Sequence, residues 1–360
     1  MSIKIHSTEL NRMLKTAVKC VDANDLAGKG NIEISHADNL LTIHATNGTF
    51  SAVVSAPVPG GDGESFCVDG SMFAKVCAQC AGEISISTDG KVCTVNGAGR
   101  TRLPVVCGTV PVQDTVDGKT IEMSGADFAR CYEKVAYAVA TEEGARVVLT
   151  GVRVEAEDGS GQVRMVALDG FQLAMEHAPC VVGKGSFREV IPGKFMKLVK
   201  DSVGQDDWLT IRCNGTRVDA ETDGMRVSCA VLNNDYPDYE RITPKSFAIK
   251  TLVNAGELRA ALKSGSVINA GSKMVKLMVR KDTVTVSSNS EKADYEAEVE
   301  CDTQGNDLLI AFNQNYLSNA IGAVDAEEIV MQFNSAVSPC VVSERDGDGA
   351  HLVLPVRVMG

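Results

Sequence analysis

The side chains that could carry out catalysis are scattered along this chain of 360 residues. Cys77 and Cys80 form a CxxC pair, but the pair lies in a helical pattern and no second pair completes a zinc site, which favours buried packing over zinc or redox chemistry. No glycine-rich phosphate-binding loop occurs. The five histidines show no metal-ligand spacing: His6, His36, His44, His177 and His351. The sequence therefore predicts a protein without catalytic activity, bound metal or cofactor.

Two acidic turns could in principle hold a proton or a cation. Asp169, which precedes Gly170, could act as an acid or a base, but an aspartate in this position more often caps a turn with its own side chain. Residues 345–349 (RDGDG) resemble half of a calcium-binding loop, yet no glutamate follows at the required distance. We therefore predict a simple turn at each place.

The turn at Asp169 belongs to a hairpin whose surroundings recur along the chain. An apolar strand pattern precedes Asp169-Gly170, and an alternating pattern resumes at Phe171. Residues 41–58 repeat this arrangement, and residues 284–301 form a weaker copy. The turns stand at positions 48, 170 and 290, at intervals of 122 and 120 residues. This regularity indicates an internal repeat.

Helical segments recur with the same period. Phe73, Phe195 and Tyr316 each open a helical pattern that runs into a strand. Amphipathic segments over residues 9–21, 127–139 and 257–268 also start each repeat, with apolar side chains at helical spacing. The order helix, strands, helix, strands, with short strands separated by Gly, Asn and Asp, predicts an α+β fold with antiparallel sheets. We predict three homologous domains: residues 1–118, 119–246 and 247–360.

The composition bounds the location and the partners of the protein. Hydrophobic residues make up 44% and charged residues 23%, no apolar run is long enough to span a bilayer, and the N-terminus lacks a signal-peptide core, so we expect a cytoplasmic protein. The twelve cysteines are dispersed, mostly in apolar settings, which predicts reduced thiols. The net charge of −12 excludes nucleic-acid binding over the whole surface but leaves room for a basic patch.

Positive side chains recur on the predicted helices, away from the apolar stripes. Such a pattern suits sequence-independent contacts with phosphates, although ordinary solvated helix faces carry similar charge. The residues concerned are Arg12, Lys15, Lys19, Lys75, Arg130, Lys134, Lys194, Lys197, Lys200, Arg259 and Lys263.

Four short motifs follow one another along the chain: VALDGFQLA (166–174), YPDYERITP (236–244), AFNQNYLSNAI (311–321) and HLVLPVRV (351–358). In this order they resemble VATDGHRLA, FPDYRRVLP, GFNxxYLxDAL and YVVMPMRL of the bacterial β sliding clamp family, the processivity subunits of replicative DNA polymerases. The resemblance covers nearly the whole chain and agrees with the threefold repeat.

The resemblance implies three tandem DNA-clamp domains, each with two helices lining a central hole and antiparallel sheets outside. Two chains would pair head to tail into a ring around double-stranded DNA, with the basic helix residues facing the hole. The implied partners are DNA, a second copy of the chain, the DNA polymerase catalytic subunit, the clamp loader and other proteins with clamp-binding peptides, with no membrane. The alternative is a tandem-domain peptide-binding adaptor that forms no ring.

The resemblance also implies a pocket for short linear peptides, with apolar walls and a few polar groups. The matching positions are Leu149, Leu168, Gly170, Phe171, Gln172, Leu173, Pro237, Arg241, Ile242, Asn313, Tyr316, Val337, Leu352, Val353, Leu354, Pro355, Val356 and Arg357. In the dimer seam, a basic first-domain edge would meet an acidic third-domain edge. The matching positions there are Arg100, Arg102, Leu103, Val105, Val267, Ile268, Glu291, Asp294 and Glu296.

Some positions depart from the family pattern. Leu168, Phe171 and Gln172 replace the family's Thr, His and Arg, so we expect a less polar and less cationic pocket rim and a different choice of partners. Val147-Val148 replaces an aromatic pair, so that family contact is not carried over.

Overall fold

The structure of the protein is a computed structural model that describes residues 2–22, 30–60, 63–141, 144–183, 185–232, 235–268 and 273–357. The chain divides into two compact units, each built from segments that are distant in sequence. The first unit contains Met1–Phe128, Ala156–Gly161 and Cys180–Asn233, and the second contains Ala129–Glu155, Gln162–Pro179 and Asn234–Gly360. The three predicted domains stay a prediction, because each unit combines parts of more than one of them.

Several helices begin where a side chain accepts a hydrogen bond from a backbone N–H group that has no partner within the helix. Asp69 accepts from the N–H of Met72 at 2.7 Å, and Ser124 Oγ accepts from the N–H of Asp127 at 3.0 Å. In the described residues the α-helices are α1 (Ser7–Ala17), α2 (Gly70–Ala78), α3 (Gly125–Ala136), α4 (Gly193–Ser202), α5 (Tyr239–Ile242), α6 (Ala255–Ile268) and α7 (Gln314–Gly322).

The strands are short and alternate between buried and exposed side chains, as predicted for sheets with one covered face. They are β1 (Ser2–His6), β2 (Asn31–Ala37), β3 (Leu40–Thr46), β4 (Phe50–Pro57), β5 (Gly63–Asp69), β6 (Glu83–Thr88), β7 (Val92–Asn96), β8 (Arg100–Pro104), β9 (Lys119–Ser124), β10 (Gly151–Ala156), β11 (Gln162–Leu168), β12 (Gln172–Pro179), β13 (Val181–Val182), β14 (Phe187–Pro192), β15 (Trp208–Cys213), β16 (Arg217–Thr222), β17 (Met225–Ala230), β18 (Ile249–Asn254), β19 (Met274–Val279), β20 (Thr283–Asn289), β21 (Asp294–Gln304), β22 (Leu308–Asn313), β23 (Glu328–Phe333), β24 (Cys340–Glu344) and β25 (Ala350–Val353).

The first unit contains two antiparallel sheets. One has the strand order β1-β6-β7-β8, and the other has the order β13-β9-β15-β16-β17-β4-β3-β2-β5. Helix α1 packs against α2, α4 and the strands β3 and β4. The predicted apolar stripe of α1 is confirmed, because Leu10, Leu14 and Ala17 are buried.

The second unit contains one long run of antiparallel strands in the order β10-β11-β12-β25-β24-β23-β18-β21-β20-β19-β22. Strands β12 and β25 join through Leu173↔Leu352 and Gln172↔Val353. Helices α6 and α7 pack against each other, and Leu258 and Leu262 of α6 are buried in this unit's core. Two predicted pocket segments therefore lie side by side in one sheet.

The predicted turns are confirmed at each repeat. Leu168↔Leu173 closes the hairpin of β11 and β12, Thr46↔Ser51 closes that of β3 and β4, and Asn289↔Asp294 closes that of β20 and β21. Gly170 has a φ of 98°, a backbone conformation that glycine adopts without steric cost. The predicted turn at residues 345–349 is also confirmed, because it joins β24 to β25.

The sequence reasoning missed α5 and two short 3-10 segments, Val18–Cys20 and Val147–Thr150. Each is too short to produce a periodic pattern of apolar residues. None of the helices in the described part of the chain has the length and apolar character needed to cross a membrane.

Candidate functional site

The turn between β11 and β12 is held by the side chain of Asp169. Its Oδ1 accepts from the N–H groups of Phe171 at 2.8 Å and Gln172 at 2.9 Å. Its Oδ2 accepts from Gln172 Nε2 at 2.9 Å. The predicted turn-capping role of Asp169 is confirmed, because both carboxylate oxygens bond groups of its own hairpin.

The side chain of Gln172 lies inside the unit, in keeping with the expectation of a less polar pocket rim. Its side chain is buried, and Nε2 also donates to the carbonyl of Tyr137 at 3.3 Å. Gln172 therefore supports the turn from inside the unit and does not present a hydrogen-bonding group to a peptide outside.

An aromatic pair marks the exposed surface beside this turn. Phe171, which is 57% exposed, stacks on Tyr316 of α7 with ring centroids 5.7 Å apart and an interplanar angle of 18°. The N–H of Leu354 donates to the carbonyl of Phe171 at 2.9 Å, so the exposed Leu354 side chain belongs to the same surface. The pair offers a stacked, solvent-facing apolar surface of the kind that anchors linear peptides.

The chain continues past Leu354 along the strand that precedes α7. The N–H of Val356 donates to the carbonyl of Ala311 at 2.8 Å, and Pro355 pairs with Phe312 in an isolated bridge. Val356 is exposed. Phe171, Tyr316 and Leu354 make up what we call the aromatic surface.

Several predicted pocket residues lie inside the unit. Their apolar side chains are buried, and each lies on a strand or a 3-10 turn: Leu149, Leu168, Leu173, Leu352 and Val353. Their contact with a peptide stays a prediction.

The remaining predicted pocket residues lie at the surface or close to it. Asn313 caps α7 by accepting from the N–H of Asn315 at 3.0 Å, and Arg241 pairs with Asp238 at 2.8 Å. Pro237 is half-buried, whereas Ile242, Val337 and Arg357 are exposed. Asn313 lies next to Tyr316 through α7, and the place of the other residues in the site stays a prediction.

The predicted basic residues of the first unit are mostly exposed. Arg12, Lys15, Lys75, Lys194 and Lys197 are exposed, and Lys19 and Lys200 are half-buried.

Asp201 neutralises part of this positive charge. Lys19 of the 3-10 turn after α1 lies 3.0 Å from Asp201, and Lys197 lies 3.3 Å from the same carboxylate. Burial alone would raise the pKa of Asp201, but the two lysines outweigh it and lower that pKa. The pairing with Lys197 at i, i+4 was readable from the sequence, whereas that with Lys19 spans 182 residues and was not.

The basic residues of the second unit divide by role. Arg130 and Lys263 are exposed. Arg259 corrects the prediction in part, because its guanidinium donates to the carbonyl of Ile321 at 2.8 Å and to that of Val324, at the C-terminal end of α7. It therefore caps a helix and is not a freely exposed phosphate contact.

Lys134 contradicts the prediction that it faces DNA. Only 9% of its side chain is exposed, and Nζ lies 3.0 Å from Glu344 and 3.8 Å from the buried Glu176. His351 Nε2 lies 3.3 Å from Glu176, and its Nδ1 lies 3.0 Å from the hydroxyl of Tyr137. Burial alone would raise the pKa of Glu176, but the contact with His351 and the charge of Lys134 outweigh it and lower that pKa. Lys134 therefore balances a buried acid.

The predicted seam residues lie on or beside the strands β8 and β21, except for Val267 and Ile268, which lie at the end of α6. Strand β8 is the last strand of its sheet in the described part of the chain, and Arg100 and Arg102 are exposed on it, whereas Leu103 is buried. Val105 is half-buried.

The acidic edge lies on β21. This strand pairs with β20 over residues 294–300, and its pairing with β18 covers only residues 301–304. Glu291, Asp294 and Glu296 are exposed there, Val267 is 77% exposed and Ile268 is half-buried.

The described residues contain no cluster of His, Cys, Asp or Glu that could hold a metal ion. Cys77 of the CxxC pair is buried, and burial raises the pKa of its thiol to about 12, so it stays protonated near neutral pH. Cys80 lies just beyond α2, and its thiol contacts the carbonyl of Val76 at 3.5 Å.

Comparison with known proteins agrees with this architecture. The family described as DNA polymerase III beta subunit, central domain, matches residues 122–238, and the family described as DNA polymerase III beta subunit, C-terminal domain, matches residues 240–357. The beta sliding clamp of Caulobacter vibrioides is 30% identical over an alignment of 275 residues that covers 72% of this chain and 73% of that protein.

Two further relatives extend the match. The beta sliding clamp of Staphylococcus epidermidis is 26% identical over 308 residues, covering 81% of this chain and 80% of that protein. The crystal structure of the DNA polymerase III beta subunit of Thermotoga maritima is 25% identical, with a TM-score of 0.91 over 99% of this chain and 100% of that one. The chain belongs to the β sliding clamp family, the β subunits of DNA polymerase III, whose function is that of a DNA sliding clamp.

Proposed function

We propose that this sliding clamp forms a head-to-tail homodimeric ring around duplex DNA. Two observations support the ring: β8 presents Arg100 and Arg102 on an open edge, and β21 presents Asp294 and Glu296 on another. Residues two apart on a strand point to the same face, so each edge carries charge of one sign. A contact between the two edges is heterologous, and it closes into a ring if the rotation between copies is a half turn.

We propose that the ring tethers the polymerase catalytic subunit and other replication proteins through short peptides. The observation that carries this proposal is the aromatic surface, because Phe171 and Tyr316 stack where solvent reaches them. A peptide that covers the pair removes apolar area from water, while the neighbouring backbone groups orient the peptide.

The exposed basic side chains support weak contacts with DNA phosphates inside the ring. A ring that encloses DNA is retained by topology, so these contacts need only be favourable enough to guide sliding. The set proposed here is smaller than the sequence suggested, because Lys134 is buried and Arg259 caps α7.

The proposed activity needs no catalytic group or cofactor, and a replication function would be exercised in the cytoplasm. The clamp loader is the proposed partner that opens and closes the ring. These assignments rest on family membership.

Light scattering after size-exclusion chromatography tests the ring. We expect a mass of about 76 kDa, twice the 38.1 kDa of one chain, at micromolar concentration. A monomer at that concentration would favour the alternative of a peptide-binding adaptor that forms no ring.

Retention on plasmid DNA tests topology. After loading by a clamp loader, the protein should remain on nicked circular plasmid and be lost when the plasmid is linearised. Equal retention on both forms would contradict a topological link.

A further inference from the structure

The segment that contains α5 is anchored to the sheet of the second unit by Tyr239. Its side chain is buried, and its hydroxyl donates to Glu155 Oε2 at 2.5 Å and accepts from Arg164 Nη1 at 3.2 Å. Burial, followed by the bond with Glu155, raises the pKa of Tyr239 to about 12, so its hydroxyl keeps its proton near neutral pH.

The anchor rests on a ladder of polar side chains across three neighbouring strands. Glu155 of β10 stands opposite Arg164 of β11, and Arg164 stands opposite His177 of β12. Arg164 Nε donates to His177 Nε2 at 2.9 Å, which requires an unprotonated nitrogen on that ring. Arg153 donates to Glu155 Oε1 at 2.8 Å and orients the same carboxylate. The hydroxyl of Tyr239 therefore bonds to side chains that are already oriented by hydrogen bonds with their neighbours.

A second tyrosine ties the same segment to the other end of β11. The hydroxyl of Tyr236 donates to the carbonyl of Val166 at 3.2 Å, close to the turn that carries Phe171. Pro237 follows this tyrosine directly, and Arg241 and Ile242 follow Tyr239. The two tyrosines thus tie this stretch to β10 and β11 just before Pro237 and two residues before Arg241.

We propose that Tyr239 and Arg164 are positioning residues, which hold the α5 segment as one wall of the peptide site without touching the peptide. This inference rests on the proposed peptide-binding function. The latch, defined as Tyr239, Glu155, Arg164 and His177, works by keeping a surface segment in its binding geometry, so that the peptide does not have to order it.

Protonation of the His177 ring would break the hydrogen bond that it accepts from Arg164 in the latch. Burial lowers the pKa of His177, and the charge of Arg164 lowers it further, so the ring is neutral near pH 7. The other charged groups around it are Glu176 and Asp348, which favour protonation, and Arg130, whose guanidinium donates to the His177 carbonyl at 3.3 Å. A protonated ring cannot accept from Arg164, and it repels the guanidinium.

Peptide affinity measured against pH tests the latch. Fluorescein-labelled peptides tiled along the polymerase catalytic subunit of the same organism are screened by fluorescence anisotropy, and the tightest binder serves as the probe. For Tyr239→Phe, which keeps the ring and removes the hydroxyl, we expect affinity about threefold to tenfold weaker near pH 7.5. For the unmodified protein we expect affinity to fall as the pH drops below 6.5, the ordinary pKa of histidine, because burial and Arg164 lower the pKa of His177 from that value.

His177→Gln separates positioning from general stability. Glutamine can accept from Arg164 but does not titrate, so in this variant the fall in affinity at lower pH should disappear. Arg188→Gln, which removes an exposed ion pair with Glu157 in the first unit, is the matched control. It should change neither the affinity near neutral pH nor the fall in affinity at lower pH.

The outcomes are distinguishable. If no tiled peptide binds the unmodified protein, the proposed peptide function fails, and the latch fails with it. If the probe binds but Tyr239→Phe binds equally well, or His177→Gln keeps the full pH dependence, the latch alone is overturned. Circular dichroism confirms that each variant is folded before its affinity is used.

Discussion

Replacing Phe171 by alanine tests the peptide site at its most exposed anchor. Because 57% of this residue is exposed, the substitution removes area that a bound peptide could cover while disturbing little of the core. Loss of the stack on Tyr316 should lower the free energy of unfolding by about 1 kcal/mol or less.

The expected loss of affinity follows from the area that remains exposed. A phenylalanine side chain can bury roughly 150 Å², and 57% of that area, about 85 Å², stays available for the peptide. At about 25 cal/mol per Å² this area corresponds to about 2 kcal/mol, or roughly 30-fold in Kd. That value lies within the range expected for an interface anchor.

Fluorescence anisotropy with the probe peptide described above measures the effect. Trp208→Ala is the matched control, because Trp208 is an aromatic residue of similar exposure on β15 of the first unit. Leu173→Ala is not a suitable probe, because Leu173 is buried and its truncation should destabilise the fold by about 2–5 kcal/mol. Unchanged affinity in a folded Phe171→Ala protein would place the peptide elsewhere.

Three further predictions address the buried ion pair of Lys134 and Glu176, the proposed contacts with DNA, and the proposed dimer interface. Lys134→Met leaves Glu176 with His351 as its remaining close partner, and should lower the free energy of unfolding by about 2–3 kcal/mol at pH 7 in urea titrations. The pKa of Glu176 in the folded protein lies below its ordinary value of 4.5, so ionised Glu176 stabilises the fold above pH 4.5. The loss of stability caused by Lys134→Met should therefore shrink as the pH falls below 4.5. A loss that does not depend on pH would refute the assignment. Lys75→Glu should reduce retention on nicked plasmid while leaving peptide affinity unchanged, and an effect on both would refute the separation of the two surfaces. Arg102→Glu should shift the mass measured by light scattering towards that of a monomer, and an undiminished dimer would remove β8 from the seam.

The elements and the turns could be predicted because their causes are local. Helical periodicity marked α1, α3 and α6, and the Asp-Gly turn is made by Asp169 bonding its own hairpin. The short α5 escaped prediction because a single turn has no period, although it carries the tyrosine that anchors the segment.

Burial of charged and polar side chains could not be predicted in the same way. Lys134 looked like a neighbour of Arg130 on an exposed stripe, yet its partner Glu344 lies 210 residues further along the chain. The pattern of one helix does not reveal which of its polar side chains meets an acid on a distant strand, since that depends on how the strands are brought together.

The amino-acid sequence by itself determined the repeat, the antiparallel strands, the capped helices and the family to which the chain belongs, because each is encoded in neighbouring residues or in motifs of a few residues. Only the tertiary structure decided which of the eighteen predicted pocket positions reach solvent. Leu173 and Leu352 are equally apolar members of the motifs, but pairing across β12 and β25 buries them, while the turn beside them leaves Phe171 exposed against Tyr316. Exposure depends on every element packed around a residue, and for this reason only the folded chain defines the surface that a peptide can touch.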